Sequence, residues 1–181
     1  MKIICYGDSN TYGYDPRSPL GERYDPECRW VDILASTTGW EVLNCGLNGR
    51  EIPDKPVRIG EDADLLVVML GTNDLLQFWP LAAAAEKMSR FISGLSVERS
   101  RILLVAPPPM VRGAWVEDEE LIRDSRELAH AYRNTAQALG IGFADAGNWG
   151  VSVSHDGVHF SENGHRAFAE GLLCHIRENI L

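Results

Sequence analysis

Five positions in this sequence suit one kind of chemistry: Ser9, Gly49, Asn73, Asp156 and His159. A serine hydroxyl is a nucleophile only when a base removes its proton. His159 is the candidate base, because an imidazole with an ordinary pKa of ~6.5 exchanges protons near neutral pH. Asp156 precedes His159 in Asp156-Gly157-Val158-His159, and a tight turn there would set its carboxylate on the second ring nitrogen and fix the tautomer. Attack on a carbonyl also builds an oxyanion, which needs N–H donors. The backbone N–H groups of Ser9 and Gly49 and the amide of Asn73 are the available set.

The elements around these residues decide whether they can meet. Ser9 follows the apolar run Ile3 to Tyr6, which stops at Gly7, and Asp8 and Asn10 are turn formers. The expectation is a strand over Lys2 to Tyr6 with Ser9 presented on a loop. Asn10 to Cys28 reads as a long loop carrying Tyr12, Tyr14, Pro16, Pro19 and Tyr24; loops of that length are often functional. Trp30 to Thr38 reads as a helix closed by Gly39, and Glu41 to Cys45 as a second strand running into Gly46-Leu47-Asn48-Gly49-Arg50. Pro53 to Gly60 has no regular pattern. Leu65 to Leu70 has no polar alternation, which predicts a strand buried on both faces. It ends at Gly71-Thr72-Asn73-Asp74.

A helix with Leu81, Ala84, Ala85, Met88, Phe91, Ile92 and Leu95 on one stripe comes next. Arg101 to Ala106 is a strand stopped by Pro107-Pro108-Pro109. A helix with Leu121, Leu128, Tyr132, Ala136 and Leu139 inward ends at Gly140, and Gly142 to Ala144 is a short last strand before Asp145. Ser161 caps a final helix to about Asn179, with Phe168, Leu172 and Ile176 inward. This alternation predicts a three-layer α/β/α sandwich with a mostly parallel, flavodoxin-like sheet. Ser9, Gly49, Asn73 and the loop after Asp145 all follow strands, so they share the edge where parallel sheets bind ligands.

The bulk properties narrow the field. A chain of 181 residues, 45% hydrophobic, fits a single domain over 1–181 with a full core. A net charge of −9 disfavours nucleic acid and anionic membranes as partners. The four cysteines, Cys5, Cys28, Cys45 and Cys174, form no CxxC pair and give neither a zinc signature nor a disulfide framework. No signal peptide and no membrane-spanning run is visible, so the expected location is cytoplasmic.

The ordered set Gly7-Asp8-Ser9, Gly49, Gly71-Thr72-Asn73-Asp74 and Asp156-Gly157-Val158-His159 resembles the four motif blocks of the SGNH hydrolases, also called GDSL esterases. The likeness spans nearly the whole chain. It implies a serine esterase with Ser9 as nucleophile, His159 as base, Asp156 as its orienter, an oxyanion hole from Ser9, Gly49 and Asn73, and no cofactor or metal. Cys5-Tyr6-Gly7-Asp8-Ser9, Thr11-Tyr12-Gly13-Tyr14, Arg29-Trp30, Met69 to Asp74, Pro107-Pro108-Pro109, Asp145-Ala146-Gly147 and Asp156 to Phe160 resemble more closely the arylesterase/acyltransferase branch, which includes perhydrolases. Members of that branch act on short acyl esters, some transfer the acyl group to alcohols, and some are oligomers, so a homo-oligomer is among the expectations. Asn10, Tyr12 and Tyr14 depart from the leucine and tryptophans that the branch can carry.

Asp8, Asn10 and Tyr14 are further expected to touch substrate. Other readings stand beside these. Asp74 is expected to cap a helix, Gly46 to shape a loop and Arg50 to make a structural salt bridge. His130, His165 and His175 are expected to be structural. A metallohydrolase using His155, Asp156 and His159 is the metal reading, but Gly157 breaks the helix that would align the two histidines and no further ligand stands out. Tyr12, Tyr14, Phe78, Trp79, Trp115 and Trp149 lie in or near loops, where some would line an apolar acyl pocket. A carbohydrate acetylesterase and a lysophospholipase or thioesterase are the enzymatic alternatives. A ligand-binding module on an inactive hydrolase scaffold is the non-enzymatic one.

Overall fold

The structure is a computed structural model describing residues 1–18 and 20–181; Pro19 lies outside the described residues. The strands are β1 (Lys2–Gly7), β2 (Glu41–Gly46), β3 (Leu65–Met69), β4 (Ile102–Ala106) and β5 (Gly142–Asp145). They form one sheet in the order β2-β1-β3-β4-β5, with every pairing parallel. The helices are α1 (Ser9–Tyr12), α2 (Trp30–Thr38), α3 (Thr72–Leu76), α4 (Leu81–Ser93), α5 (Glu119–Leu139) and α6 (Glu162–Asn179).

Strand residues point alternately to two cores, as the two-residue period requires. Ile4, Tyr6, Leu66, Val68 and Leu104 meet Met88, Phe91 and Tyr132 of α4 and α5. Ile3, Cys5, Val67, Met69 and Val105 meet Trp30, Leu34, Phe168 and Leu172 of α2 and α6. β3 and β4 are buried throughout, whereas the edge strand β2 leaves Glu41 and Leu43 exposed. Gly39 and Gly140 end α2 and α5 in the left-handed conformation, and the Ser161 hydroxyl caps α6 by accepting from Gly164 N. No helix among the described residues is long and apolar enough to cross a membrane.

Several expectations need adjustment. Ser9 begins a helical turn, α1, rather than sitting on a loop. The stretch to Cys28 is partly ordered by that turn, a Tyr14–Arg23 bridge and a 3-10 turn at Pro26–Cys28. Leu95 falls beyond α4, which stops before Gly94, and Arg101 belongs to a 3-10 turn preceding β4. His130 is on the exposed face of α5.

His165 of α6 is fully buried beside Tyr24 and Phe160. Its Nδ1 accepts from Trp30 N at 3.4 Å, while Nε2 has no partner among the described residues. Burial, with Arg29 and His159 adding to it, lowers its pKa from 6.5 to about 3. Because the folded value lies below the unfolded one, the neutral-His contribution is complete above pH 6.5 and is lost as pH falls toward 3. Between pH 7 and 5 it should remove about 2 kcal/mol of stability. Asp8, raised to about 6, acts with opposite sign between pH 6 and 3.8, so the two partly cancel in the wild type. His165→Asn retains an acceptor for Trp30 N but cannot charge. Urea unfolding at pH 7 and 5 should therefore show His165→Asn losing less stability on acidification than wild type; identical pH slopes would refute this.

Candidate active site

The sheet order reverses direction at β1, so a crevice opens at the carboxyl ends of β1 and β3. Ser9 leaves β1 there, Gly49 follows β2 and Asn73 follows β3. Asp8 accepts from Asn10 N at 2.9 Å, capping α1 and holding Ser9 in its first turn.

The residues around His159 fold locally because the Asp156 carboxylate organises its own turn. Asp156 Oδ1 accepts from Val158 N at 2.9 Å and His159 N at 3.0 Å. Oδ2 is then free to accept from His159 Nδ1 at 2.6 Å. That bond leaves Nε2 as an acceptor, 3.0 Å from Ser9 Oγ. Burial acts to raise the Asp156 pKa, but the bonds from His159 and the two backbone N–H groups outweigh it and the net shift is downward. Asp156 and His159 are almost wholly buried. His155, by contrast, is exposed and bonds Ser154 Oγ.

Asn10 joins the two ends of the chain. Its Oδ1 accepts from Phe160 N at 2.8 Å and its Nδ2 donates to Val158 O at 3.2 Å. Asn10 and Asp8 thus lie beneath the pocket with their side chains committed to backbone, and neither lines it. The expectation of substrate contact is corrected for both: they position Ser9 and the His159 loop. Burial pushes the Asp8 carboxyl up to about 6, against the opposing pull of Asn10 N–H and His159.

Tyr14 does line the pocket, together with Ser9, Asn48, Gly49, Asn73, Trp115 and His159, in a cavity of about 240 Å³. The Tyr14 ring lies 4.6 Å from that of His159 and the Trp115 ring 5.1 Å, one on a tilt and one edge-on. The other aromatics serve elsewhere. Tyr12 stacks under Arg23, Trp149 packs on Phe168, and Phe78 and Trp79 line a separate cleft with Leu75 and Leu81.

The oxyanion candidates face the same cavity. Among the described residues, neither Ser9 N–H nor Gly49 N–H has an intrachain acceptor. Asn73 Nδ2 donates to Arg50 O at 3.1 Å, which fixes the amide plane and leaves its second N–H available. Among the described residues Arg50 makes no salt bridge, contrary to expectation. Its guanidinium donates to Gly7 O and Cys45 O and lies over the Tyr6 ring. Asp74 is no cap either. It sits inside α3, wholly buried, and accepts from Ile52 N and Lys87 Nζ. Gly46 does more than shape a loop, since a Cβ there would overlap Tyr12 N.

The strap from Val111 to Val116 was not legible beforehand. Val111 N, Ala114 N and Trp115 N donate to Gly157 O, His155 O and Asp156 O, each at 3.0 Å. Two backbones pack so closely here that a Cβ on Gly113 would overlap Gly157 N, and one on Gly157, at φ 84°, would overlap Val111 O. Gly113 was the available signal: a glycine amid bulky residues, marking close backbone approach. Asn48 was also overlooked, although it stands beside the glycine that was singled out.

The comparisons agree with this architecture. Solved structures similar over 98% of this chain include an M. smegmatis aryl esterase (28% identity, 98% of that chain, TM-score 0.82). A member of a carbohydrate acetylesterase family from Sinorhizobium meliloti is also similar (28%, 98% of each chain, TM-score 0.80). A protein of Agrobacterium tumefaciens str. C58 provisionally named an arylesterase matches at 30% identity over 98% of this chain and 99% of its own, with TM-score 0.81. No curated protein matches the chain by sequence. Residues 5–167 match the model of the GDSL-like lipase/acylhydrolase family. With most of its length inside that family model, the chain belongs to the GDSL-like lipase/acylhydrolases, the SGNH hydrolases, and is a carboxylic ester hydrolase.

Proposed function

We propose that the enzyme cleaves short acyl esters through an acyl-enzyme on Ser9. The observation that carries this reading is the unbroken hydrogen-bonded line from Ser9 Oγ through the His159 ring to Asp156. Ser9 Oγ attacks the ester carbonyl as His159 Nε2 takes its proton, and Asp156 holds the imidazolium that forms. The carbonyl oxygen, now negative, receives N–H donors from Ser9, Gly49 and Asn73. His159 returns the proton to the leaving alcohol. Water then attacks the acyl carbon with His159 as base again, and a second alcohol in place of water gives acyl transfer.

The size of the cavity, about 240 Å³, and its walls of Tyr14 and Trp115 support a small acyl group. A second reading, deacetylation of a sugar, is favoured by the exposed Asn48 at the pocket lip and by the likeness to the S. meliloti acetylesterase. The substrate is the one partner this mechanism requires, and the charge of −9 opposes nucleic acid and anionic membranes. Four free cysteines suit a reducing cytoplasm.

A chain-length series of p-nitrophenyl esters tests the acyl preference. kcat/KM should be greatest for acetyl to butyryl and about tenfold or more lower for octanoyl. A steady rise with chain length would overturn the reading. Acetylated xylosides assayed alongside distinguish a sugar leaving group from an aryl one.

A further inference from the structure

A buried ion pair outside the Ser9 pocket sits directly behind two of its proposed donors. Asn73 and Asp74 are consecutive on α3, and each grips the loop after β2 through a different atom. Asn73 Nδ2 donates to Arg50 O at 3.1 Å, and Asp74 Oδ2 accepts from Ile52 N at 3.0 Å. Gly49 immediately precedes the gripped segment. The spacing between Gly49 N–H and the Asn73 amide therefore depends on these two bonds.

Asp74 has no exposed surface, and a carboxylate so buried persists only beside a counter-charge. Lys87 of α4 supplies it, with Nζ 3.1 Å from Asp74 Oδ1. The same ammonium lies 3.5 Å from Glu51 Oε2 and 3.7 Å from Asp54 Oδ2. It also lies 5.0 Å from the Trp79 ring centre, and Trp79 Nε1 donates to Glu51. One nearly buried cation thus draws the segment from Glu51 to Asp54 against both α3 and α4. Lys87 does not line the Ser9 cavity, so its influence on the reaction must pass through Asp74 and the loop.

We propose that Asp74 and Lys87 are positioning residues for the oxyanion hole. The pair sets the relative placement of Gly49 N–H and the Asn73 amide, and so acts on the transition state rather than on substrate capture. This rests on the reading of Gly49 and Asn73 as oxyanion donors. Tyr14 and Trp115, which wall the pocket, stand on other segments, so removing the pair should leave substrate capture unchanged.

The test measures kcat and KM for p-nitrophenyl acetate, with thermal melting, in four variants. Asp74→Asn keeps an acceptor for Ile52 N but does not neutralise Lys87. Asp74→Asn/Lys87→Met removes both charges, so no unpaired charge is left buried. Lys87→Arg keeps the cation, and Asn73→Ala removes a donor outright. All rates are taken well below the lowest melting temperature.

Asn73→Ala should lower kcat by about 10²- to 10³-fold. Asp74→Asn and the double variant should lower it by about 10- to 100-fold with KM within about twofold of wild type, a loss confined to the transition state. Lys87→Arg should retain most of the wild-type rate. Wild-type kcat in Asp74→Asn or the double variant, with Asn73→Ala impaired, overturns the positioning role alone. Wild-type kcat in Asn73→Ala overturns the donor assignment and the positioning role with it. Losses that follow the melting temperature through all variants, with KM rising as kcat falls, mark the pair as merely structural and also overturn the proposal.

Discussion

Ser9→Ala should abolish the burst of p-nitrophenol from p-nitrophenyl acetate and lower kcat by on the order of 10⁶-fold, as expected when a triad nucleophile is removed. The fold should be unaffected. Among the described residues the Ser9 side chain has one hydrogen-bond partner, His159 Nε2, and His159 lines a cavity where water can replace the hydroxyl. Alanine also suits the helical position that Ser9 occupies in α1. Unchanged melting with no burst is the expected result. A wild-type burst in this variant would remove Ser9 from the mechanism and leave the family membership standing without its expected nucleophile.

Asp156→Asn should lower kcat/KM by about 10⁴-fold. The asparagine Oδ1 can still accept from Val158 N and His159 N, so the turn survives. Its amide nitrogen cannot accept from His159 Nδ1. The ring then favours the tautomer with the proton on Nε2, which cannot take one from Ser9. The variant also separates rate from stability. The wild-type carboxyl titrates below its ordinary 3.8, so its contribution to folding is present above that pH and is lost as pH falls through the lowered value. Acid unfolding below pH 3.8 should be less steep in Asp156→Asn, whereas the rate deficit should persist at neutral pH. A rate within tenfold of wild type would show that the carboxylate does not orient His159.

The parts of this molecule that could be read in advance rest on side chains that leave little choice. Leu65 to Leu70 has no polar face to offer solvent, and all of it but Leu70 became a strand buried on both sides. Gly39 and Gly140 stop helices because their left-handed backbone is costly for other residues. Asp156-Gly157-Val158-His159 was legible as a turn because the carboxylate can bond backbone two and three residues ahead. Illegible features were those set by distant contacts. α1 and α3 are too short to show a helical period. Asn10 looked like a turn residue with a side chain free for substrate, yet both ends of its amide are used 148 and 150 positions away. Asp74 resembled a cap because its counter-charge, Lys87, lies on another helix. Trp115 entered the pocket on a strap without regular structure, held by hydrogen bonds to the His159 loop that no local pattern announces.

Asn10 has a consequence for synthesis. The bonds it makes to Val158 and Phe160 span 148 and 150 positions. Contacts of such separation close late, after the local helices have had time to form. Ser9 leaves the ribosome well before its base, so a nascent chain has neither base nor clasp until residue 160 has emerged. A chain cut short before residue 159 therefore carries a serine without the base that activates it.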